Sequence, residues 1–545
     1  MVSAYLRPSY RKSVLISLIL IGAALRLWQY AANASLWLDE IAVAQNILER
    51  PLGELLTAPL AYAQVAPKGF LLAEKAAVAL FGPSEYALRL FPLLCSLGAL
   101  LAFRRVAERA LTGFAATVAV ALFAAAIPLI FYAAQTKQYS TDVLIAVLLL
   151  WLALDLDAGA VLSAPRAVGA ALAGAVAPWF SHSAVFVLAG MGISLAAQSR
   201  RLDVRSLRRL YIVVAVWTVS ALCAVGIELS TASPQTREYM QWFWAPAMLP
   251  SDALHMLWPL LRLRDLLGQR GLGALGYPAS ILYMSLAVFG LALLSCRRLR
   301  VALFLILPTA LTVAASAVRQ YPFADRLILF LVPGFLLAIA EAIEWTRARA
   351  AKFSPVAAVA MLVALAGPAL YALATKPPVY RLQDMKPVLA YLQERRRPSD
   401  AVYVHYRGAP SILFYGARYG LRPSDYTIGG CYLGDTRRYL EDIDKFRGSP
   451  RLWIIAADVA PIRSQPQEMV RYLDAIGVRS DFFLVPTRTP SGYAITPAAV
   501  YLYDLSDPQR LAKADASSFP VIGKDHGPSW TRCHEGPITV DPARR

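Results

Sequence analysis

Two adjacent carboxylates stand directly after the first long apolar run of the sequence. Asp39 and Glu40 follow Trp37 and Leu38. A charged side chain is costly near hydrocarbon, so this pair either faces water or takes part in chemistry. One interpretation makes the two residues first-turn acids of a helix over 39–50, where the helix dipole favours anions. The other makes Asp39 a general base that removes a proton from an acceptor hydroxyl, with Glu40 as a second candidate catalytic carboxylate.

A second polar stretch runs from Tyr132 to Asp142, at the start of another apolar helix. It contains Lys137, Tyr139 and Asp142. Asp142 falls about one turn inside that helix, where a charge without a partner is expensive. Either Lys137 pairs with Asp142 while the tyrosines anchor the membrane interface, or these groups line a polar cavity together with Asp39.

Basic side chains expected on the same face of the membrane are candidates for holding a phosphate. Arg319 and Arg326 flank Tyr321, a candidate pocket residue, in a short polar loop. Lys68 follows a proline in the first loop, and Lys137 of the second polar stretch is a further phosphate candidate. Arginine is suited to a bidentate grip on phosphate. The alternative is that Arg326 pairs with its neighbour Asp325 or contacts a lipid headgroup.

Two further features have less specific interpretations. His182 is expected at a tight outer turn between two spans, as a pocket residue or as a simple turn residue. The tryptophan-rich loop over 231–276 either covers the membrane interface or shapes an acceptor groove. The sequence shows neither the His/Cys spacing of a metal site nor a glycine-rich phosphate loop, so no metal and no cofactor are expected.

The composition places this chemistry in a membrane protein. Of the 545 residues, 57% are hydrophobic and 17% are charged, against about 25% charged in soluble domains. The net charge of +18 does not indicate a nucleic-acid partner, because the basic residues gather at the ends of apolar runs, as in cytoplasmic loops. These clusters are Arg7, Arg11 and Lys12; Arg104, Arg105 and Arg109; Arg200 to Arg209; Arg297, Arg298 and Arg300; and Arg347, Arg349 and Lys352.

A span needs about 20 apolar residues, and placing every basic cluster inside predicts about eleven spans. They are expected at 13–31, 85–104, 112–128, 139–155, 166–181, 183–199, 210–230, 277–295, 300–317, 325–345 and 354–373. The apolar run at 69–81 is too short to cross the membrane comfortably. A crossing there would also move Arg104 and Arg105 to the outside, against the charge rule. The run is expected in the first outer loop, 32–84, with interfacial helices at 39–50 and 52–60.

The predicted fold is therefore a polytopic α-helical membrane protein with a membrane domain over 1–375 and an extracytoplasmic α/β domain over 376–545. In the second domain a helix is expected at 382–397 and strands at 401–405, 452–456, 482–485 and 500–503. Cys431 and Cys533 could form a disulfide in an oxidising compartment, or remain thiols.

Several short segments resemble those of GT-C membrane glycosyltransferases, in the order in which that family has them. The chain is similar to bacterial members related to protein O-mannosyltransferases and lipid A aminoarabinose transferases, over about 1–345. The segments are Trp37-Leu38-Asp39-Glu40, Pro67-Lys68-Gly69-Phe70, Phe81-Gly82, Leu88-Arg89-Leu90-Phe91-Pro92, Lys137-Gln138-Tyr139-Ser140 and Tyr321-Pro322-Phe323 with Arg326.

The resemblance implies a sugar linked to polyprenyl phosphate as donor, and an inverting transfer to a glycan, lipid or protein acceptor. It also implies a multi-pass protein of the bacterial inner membrane, among membrane lipids, with the active site and the second domain on the periplasmic side. By position, Asp39 would be the base and Lys68 and Arg326 would hold the lipid phosphate. Glu40, Lys137 and Tyr139 would line the pocket. Many relatives have two prolines where this chain has Pro67-Lys68, so Lys68 departs from the family pattern.

Two other functions compete with an enzyme. A transporter or flippase for a lipid-linked saccharide would carry broken helices or polar groups near mid-membrane and an internal repeat. A silent scaffold would bind cell-wall glycan through its outer domain. The polar residues of this sequence gather at one membrane face, which favours the enzyme.

Overall fold

The structure is a computed structural model that describes residues 8–158, 161–197, 202–250, 257–432, 435–457, 465–490 and 497–518. Helices make up the chain as far as residue 375, and a mixed sheet with flanking helices follows. The predicted polytopic helical protein with a C-terminal α/β domain is confirmed.

The helices of the first part follow one another in chain order. They are α1 (Pro8–Ala31), α2 (Leu38–Glu49), α3 (Leu52–Thr57), α4 (Lys68–Phe81), α5 (Glu85–Ala110), α6 (Ala115–Ala125), α7 (Ile127–Phe131), α8 (Tyr139–Ala158), α9 (Ala164–Phe180), α10 (Ala184–Ala197), α11 (Val204–Thr231), α12 (Pro234–Phe243), α13 (Trp258–Leu267), α14 (Ser280–Arg297), α15 (Leu299–Ala317), α16 (Val332–Ala350) and α17 (Pro355–Thr375). A 3₁₀ turn over Asp325–Leu331 leads into α16.

Within the described ranges, eight helices are long and apolar enough to cross a membrane: α1, α5, α8, α11, α14, α15, α16 with its 3₁₀ turn, and α17. The pair α6 and α7 makes up to nine if it forms one bent span. The remaining predicted spans form α9 and α10, of 17 and 14 residues. The count of eleven spans therefore stays a prediction. The apolar run at 69–81 forms α4, which at 14 residues is not among the eight.

The predicted span at 112–128 is not one continuous helix, because the helix breaks at Ala126. The two halves are bent by 54°, and Pro128 stands in the first turn of α7, where a missing N–H does no harm. The side chain of Arg26, fully buried in α1, donates to the carbonyls of Phe123 and Ala124 at 3.4 and 3.3 Å. A guanidinium thus adds a partner for two carbonyl groups at the break, where the carbonyl of Phe123 also accepts the N–H of Ala126.

Close helix packing in this part of the chain depends on glycine. Gly290 of α14 lies against the backbone of Ala338 in α16, and Gly174 of α9 lies against the ring of Trp217 in α11. Small residues let helix backbones approach closely where lipid supplies no hydrophobic drive for association. An added methyl group at either position would overlap its neighbour.

The C-terminal domain is built on one five-stranded sheet in the order β2-β1-β3-β5-β4. Its strands are β1 (Ala401–Val404), β2 (Thr427–Ile428), β3 (Leu452–Ala456), β4 (Val478–Val485) and β5 (Ala498–Asp504). β1 is parallel to β2 and β3, whereas β5 is antiparallel to β3 and β4. The helices are α18 (Met385–Arg395), α19 (Ala409–Tyr415), α20 (Thr436–Asp444), α21 (Gln465–Ile476) and α22 (Pro508–Leu511). The prediction missed β2, and the strand predicted at 482–485 begins four residues earlier in the structure, as β4.

The first outer loop and the C-terminal domain share one hydrophobic core. Ile41 of α2 and Leu71 of α4 belong to the same buried cluster as Leu389 of α18 and Trp453 of β3. The C-terminal domain is therefore packed directly on the helix that carries Asp39, although the sequence between them spans most of the membrane domain.

Replacing Gly290 by Ala is expected to destabilise the protein by about 1–3 kcal/mol, the usual cost of overpacking, because the new methyl group meets the backbone of Ala338. Gly226→Ala in α11 is the matched control. Nothing lies near its added methyl group, and Ala is the better helix former. Unfolding midpoints in mild detergent measure both changes. Equal midpoints for Gly290→Ala and the wild type would contradict the close contact of α14 with α16.

Candidate active site

The helix α2 begins at Leu38, so Asp39 and Glu40 both lie in its first turn. The prediction that both acids lie in the first turn of a helix is confirmed. The two side chains nevertheless point into different surroundings, and their partners separate their roles.

Asp39 lies between two cations that the chain brings from distant loops. Its Oδ1 is 2.9 Å from Nζ of Lys137, and its Oδ2 is 3.4 Å from Nη2 of Arg326. The same ammonium group of Lys137 donates to Oε1 of Gln64 at 2.7 Å. The side chain of Asp39 is 20% exposed, against 6% for Lys137 and 13% for Arg326. The three charges form one cluster that reaches solvent through Asp39.

The cluster carries one negative and two positive charges. Burial raises the pKa of the Asp39 carboxyl, but the charges of Lys137 and Arg326, with the hydrogen bonds from Lys137 and Gln64, outweigh burial and hold that pKa below its ordinary value. Burial also lowers the pKa of the Lys137 ammonium, and Asp39 offsets only part of this change. Asp39 is therefore ionised at neutral pH, and the net positive charge of the cluster suits an anionic ligand.

Arg326 is fixed by contacts on several sides. Its Nε donates to the hydroxyl of Tyr139 at 2.9 Å, and its guanidinium carbon lies 5.4 Å from the ring centre of Trp244. The adjacent Asp325 has a φ of 52°, and its carboxylate accepts a hydrogen bond from the backbone N–H of Gly273. Arg326 thus forms its ion pair with Asp39 rather than with Asp325. The loop over 231–276 also supplies an aromatic face to the cluster.

Glu40 has a different environment, in which its described contacts are structural, and its assignment as a catalytic carboxylate stays a prediction. It is fully buried, and Arg89 donates to its Oε1 from Nε at 3.0 Å and to its Oε2 from Nη2 at 2.7 Å. The backbone N–H of Thr136 adds a third hydrogen bond at 2.8 Å. Arg89 also donates to the carbonyl of Ala34 at 2.6 Å. Glu40 therefore fixes the start of α2 to α5 and to the segment that carries Lys137.

Lys68 and His182 gather around another carboxylate. Nζ of Lys68 is 3.9 Å and Nε2 of His182 is 3.6 Å from Oε2 of Glu228 near the C-terminal end of α11. Among the described ion pairs, neither reaches Asp39. The assignment of Lys68 to the same phosphate as Arg326 stays a prediction.

Asp142 and Tyr321 lie deeper. Asp142 is buried, with its Oδ1 lacking a hydrogen-bond partner among the described residues, and it forms no described ion pair with Lys137. The hydroxyl of Tyr321 donates to the carbonyl of Leu327 at 2.9 Å. The predicted place of both residues in a substrate pocket stays a prediction.

Three other expectations have the same outcome. Arg319 is exposed, with a φ of 57°, and among the described contacts it has no ion pair with the cluster, so its assignment to the phosphate stays a prediction. The possible disulfide joins Cys431, which is described, to Cys533, which lies outside the described residues. This disulfide therefore stays a prediction. The expectation that no metal is required stays a prediction.

Sequence reasoning missed Gln64, Arg89 and the hydrogen bond between Trp37 and Gln135, which measures 2.8 Å from Nε1 to Oε1. Arg89 carried a usable signal, because an arginine near the start of an apolar span needs a buried partner. Gln64 and Gln135 are ordinary polar loop residues, and nothing in their spacing points to Lys137 or Trp37.

No family model matches the chain, and no curated protein matches it. Among solved structures, the chain is similar to ArnT from Cupriavidus metallidurans bound to undecaprenyl phosphate, with 14% identity over 91% of this chain and 98% of that chain and a TM-score of 0.49. It is also similar to the archaeal oligosaccharyltransferase AglB from Archaeoglobus fulgidus in complex with an inhibitory peptide and a dolichol-phosphate. That match has 13% identity over 89% of this chain and 74% of that chain, with a TM-score of 0.48. We base the functional proposal on the contacts around Asp39 and not on these similarities.

Glu40→Ala is expected to destabilise the protein by about 3–5 kcal/mol, because it leaves the buried guanidinium of Arg89 without its carboxylate. A double variant, Glu40→Leu with Arg89→Leu, removes both charges and should recover part of that loss. Asp39→Asn, at a partly exposed position, should change stability much less. Unfolding midpoints in detergent compare the three. A Glu40→Ala protein as stable as the wild type but inactive would support a catalytic role for Glu40.

Proposed function

We propose that this protein is a membrane glycosyltransferase that moves one sugar from a polyprenyl-phosphate carrier to an acceptor hydroxyl at the outer membrane face. The acceptor belongs to a glycan, a lipid or a protein, and the site and the C-terminal domain face the periplasm of a bacterial inner membrane. One observation carries the proposal: a partly exposed carboxylate, Asp39, lies within ion-pair distance of both Lys137 and Arg326.

The charges of the site fit a phosphate leaving group. When the bond between the anomeric carbon and the phosphate oxygen breaks, the electron pair remains on the phosphate, which gains negative charge. Fixed cations at that position stabilise the transition state more than the ground state. Arg326 is suited to this role because Tyr139 and Trp244 already hold its guanidinium, so little reorganisation is needed when the charge develops.

Asp39 is the candidate base. In an inverting transfer, the acceptor oxygen attacks the anomeric carbon from the side opposite the phosphate, and Asp39 accepts the hydroxyl proton. The low pKa of Asp39 in the substrate-free protein makes it a weak base, since efficient general bases have a pKa nearer the working pH. The same cations that prepare the phosphate site thus restrain the base.

Donor binding relieves this restraint. A phosphate that engages Lys137 and Arg326 competes with Asp39 for both cations and adds a negative charge nearby. Both effects raise the pKa of the Asp39 carboxyl. In-line attack separates the attacking oxygen from the leaving oxygen, so the Asp39 carboxylate turns away from the cations, while Tyr139 and Trp244 keep the guanidinium of Arg326 in place. Proton abstraction becomes efficient only when the donor is in place.

A transporter for a lipid-linked saccharide is the alternative function, and the break between α6 and α7 is the observation that favours it. The residues of α6 and α7 are buried and apolar apart from Thr117, and Arg26 occupies the carbonyls at the break. The break therefore offers a sugar few polar groups, whereas the charged groups lie at the Asp39 cluster.

Asp39→Asn is expected to lower the rate of sugar transfer by about 10²–10⁴-fold, the usual contribution of a general base, while undecaprenyl phosphate still binds. The assay uses purified protein, a panel of synthetic polyprenyl-phosphate sugars and mass spectrometry of the products. Arg326→Ala, in contrast, should weaken the binding of undecaprenyl phosphate. Unchanged transfer by Asp39→Asn would refute the base, and lipid translocation by wild type without any transfer would favour the transporter.

The acid limbs of the pH–rate profile are expected to differ between the two kinetic parameters. The limb of kcat/KM reports the free enzyme and the limb of kcat reports the substrate complex. Asp39 has a lowered pKa in the free protein, so activity in kcat/KM is lost only in strong acid. The limb of kcat should lie at higher pH, since bound phosphate raises that pKa. Coincident limbs would show that donor binding leaves the Asp39 carboxyl unchanged.

A further inference from the structure

In the segment that enters α2, three backbone N–H groups donate hydrogen bonds to side chains of the C-terminal domain. The N–H of Ser35 donates to Oδ1 of Asp384 at 3.0 Å, the N–H of Leu36 donates to the hydroxyl of Tyr415 at 2.8 Å, and the N–H of Leu38 donates to Oε1 of Gln383 at 3.1 Å. These three donors belong to the four residues that immediately precede Asp39.

The local sequence does not supply these acceptors itself. The residue before α2 is Trp37, whose side chain makes no capping hydrogen bond to the helix. The first N–H groups of a helix have no partner within it, and an unpaired N–H in a buried place costs about 1–3 kcal/mol. Ser35, Leu36 and Trp37 are all buried, so water is a poor substitute for the side chains of the second domain.

The acceptors are held in place from both sides. The backbone of Arg381 exchanges two hydrogen bonds with Arg488, which follows β4, at 2.9 and 2.8 Å. The backbone of Tyr380 exchanges two more with the side chain of Gln29 at the end of α1, at 2.8 and 2.7 Å. The segment 380–384 therefore joins the first span, the start of α2 and the sheet of the C-terminal domain.

We propose that Gln383 is a positioning residue that sets the place of the Asp39 carboxylate relative to Lys137 and Arg326. Gln383 bonds to the first residue of α2 and touches neither cation in the described contacts, so it acts through the backbone. A shift of about 1 Å at a reacting group can cost about 10²-fold in rate. The C-terminal domain is then a working part of the site. This inference rests on the proposed function for its kinetic consequence, but not for its structural one.

Amide hydrogen exchange tests the structural consequence without any substrate. In full-length protein, Gln383→Leu removes the acceptor and should speed exchange of the peptide that contains residues 35–41. Gln383→Glu keeps an acceptor oxygen, and burial of this position favours the neutral carboxyl. Because Nε2 of Gln383 has no hydrogen-bond partner among the described residues, this variant loses no hydrogen bond and should restore slow exchange. Slow exchange in Gln383→Leu would overturn the proposal.

Asp444→Asn is the matched control. It weakens the contacts of Asp444 with Arg447 and Tyr472, and Tyr472 belongs to a separate buried cluster of the C-terminal domain that contains no residue of α2. This variant should lower the unfolding midpoint without changing exchange of residues 35–41. Faster exchange there in Asp444→Asn, to the extent seen in Gln383→Leu, would reduce Gln383 to a general contributor to stability and overturn its specific role.

Kinetics then separate positioning from binding. Gln383→Leu is expected to lower kcat by about 10²-fold, while the Kd for undecaprenyl phosphate alone stays unchanged, because Lys137 and Arg326 remain in place. Gln383→Glu should recover kcat. A loss of phosphate-lipid binding that matches the loss of kcat would overturn the proposal. If wild type transfers no sugar yet Gln383→Leu alone speeds exchange, the proposed function fails and the positioning role stands.

Discussion

The site depends on the ion pairs that Asp39 forms with Lys137 and Arg326. A carboxylate and two cations that are mostly removed from water stabilise one another only while all three stay close. The elements that carry them are α2, the turn before α8 and the 3₁₀ turn before α16. The buried contact of Glu40 with Arg89 fixes the first of these elements, and the aromatic contacts of Arg326 fix the third. The pairs also leave a net positive charge at the outer end of the spans.

That net charge links structure to the proposed chemistry. The cluster is stable without substrate because Asp39 neutralises one cation, and in the proposed mechanism the second cation is left to attract a phosphate. The same interaction that completes the resting site must therefore loosen during a reaction. A base that is fully available before the donor arrives would offer no such coupling. In this arrangement, binding of one substrate prepares the group that activates the other.

The sequence was sufficient for the parts of the site that follow from the membrane itself. Alternating spans put Asp39, Lys137 and Arg326 on one face, and the cost of a buried charge marked each of them as needing a partner. The choice of partner needed three dimensions. Lys137 is close in sequence to Asp142 but pairs with Asp39. Lys68 lies in the first loop, as Asp39 does, but pairs with Glu228. The break at Ala126 was not predicted, because the hydrophobic run continues across it. Only the structure shows that Arg26 donates to the carbonyls of Phe123 and Ala124 at the break.

The contact between the start of α2 and the C-terminal domain has a consequence for biosynthesis. Leu36 and Tyr415 are separated by 379 positions in sequence, so α2 emerges from the ribosome long before its hydrogen-bond acceptors exist. A nascent or truncated chain can insert its spans while the entry to α2 still lacks these partners. The C-terminal domain thus supplies these partners late in synthesis, and a chain truncated before it would hold the Asp39 cluster without them.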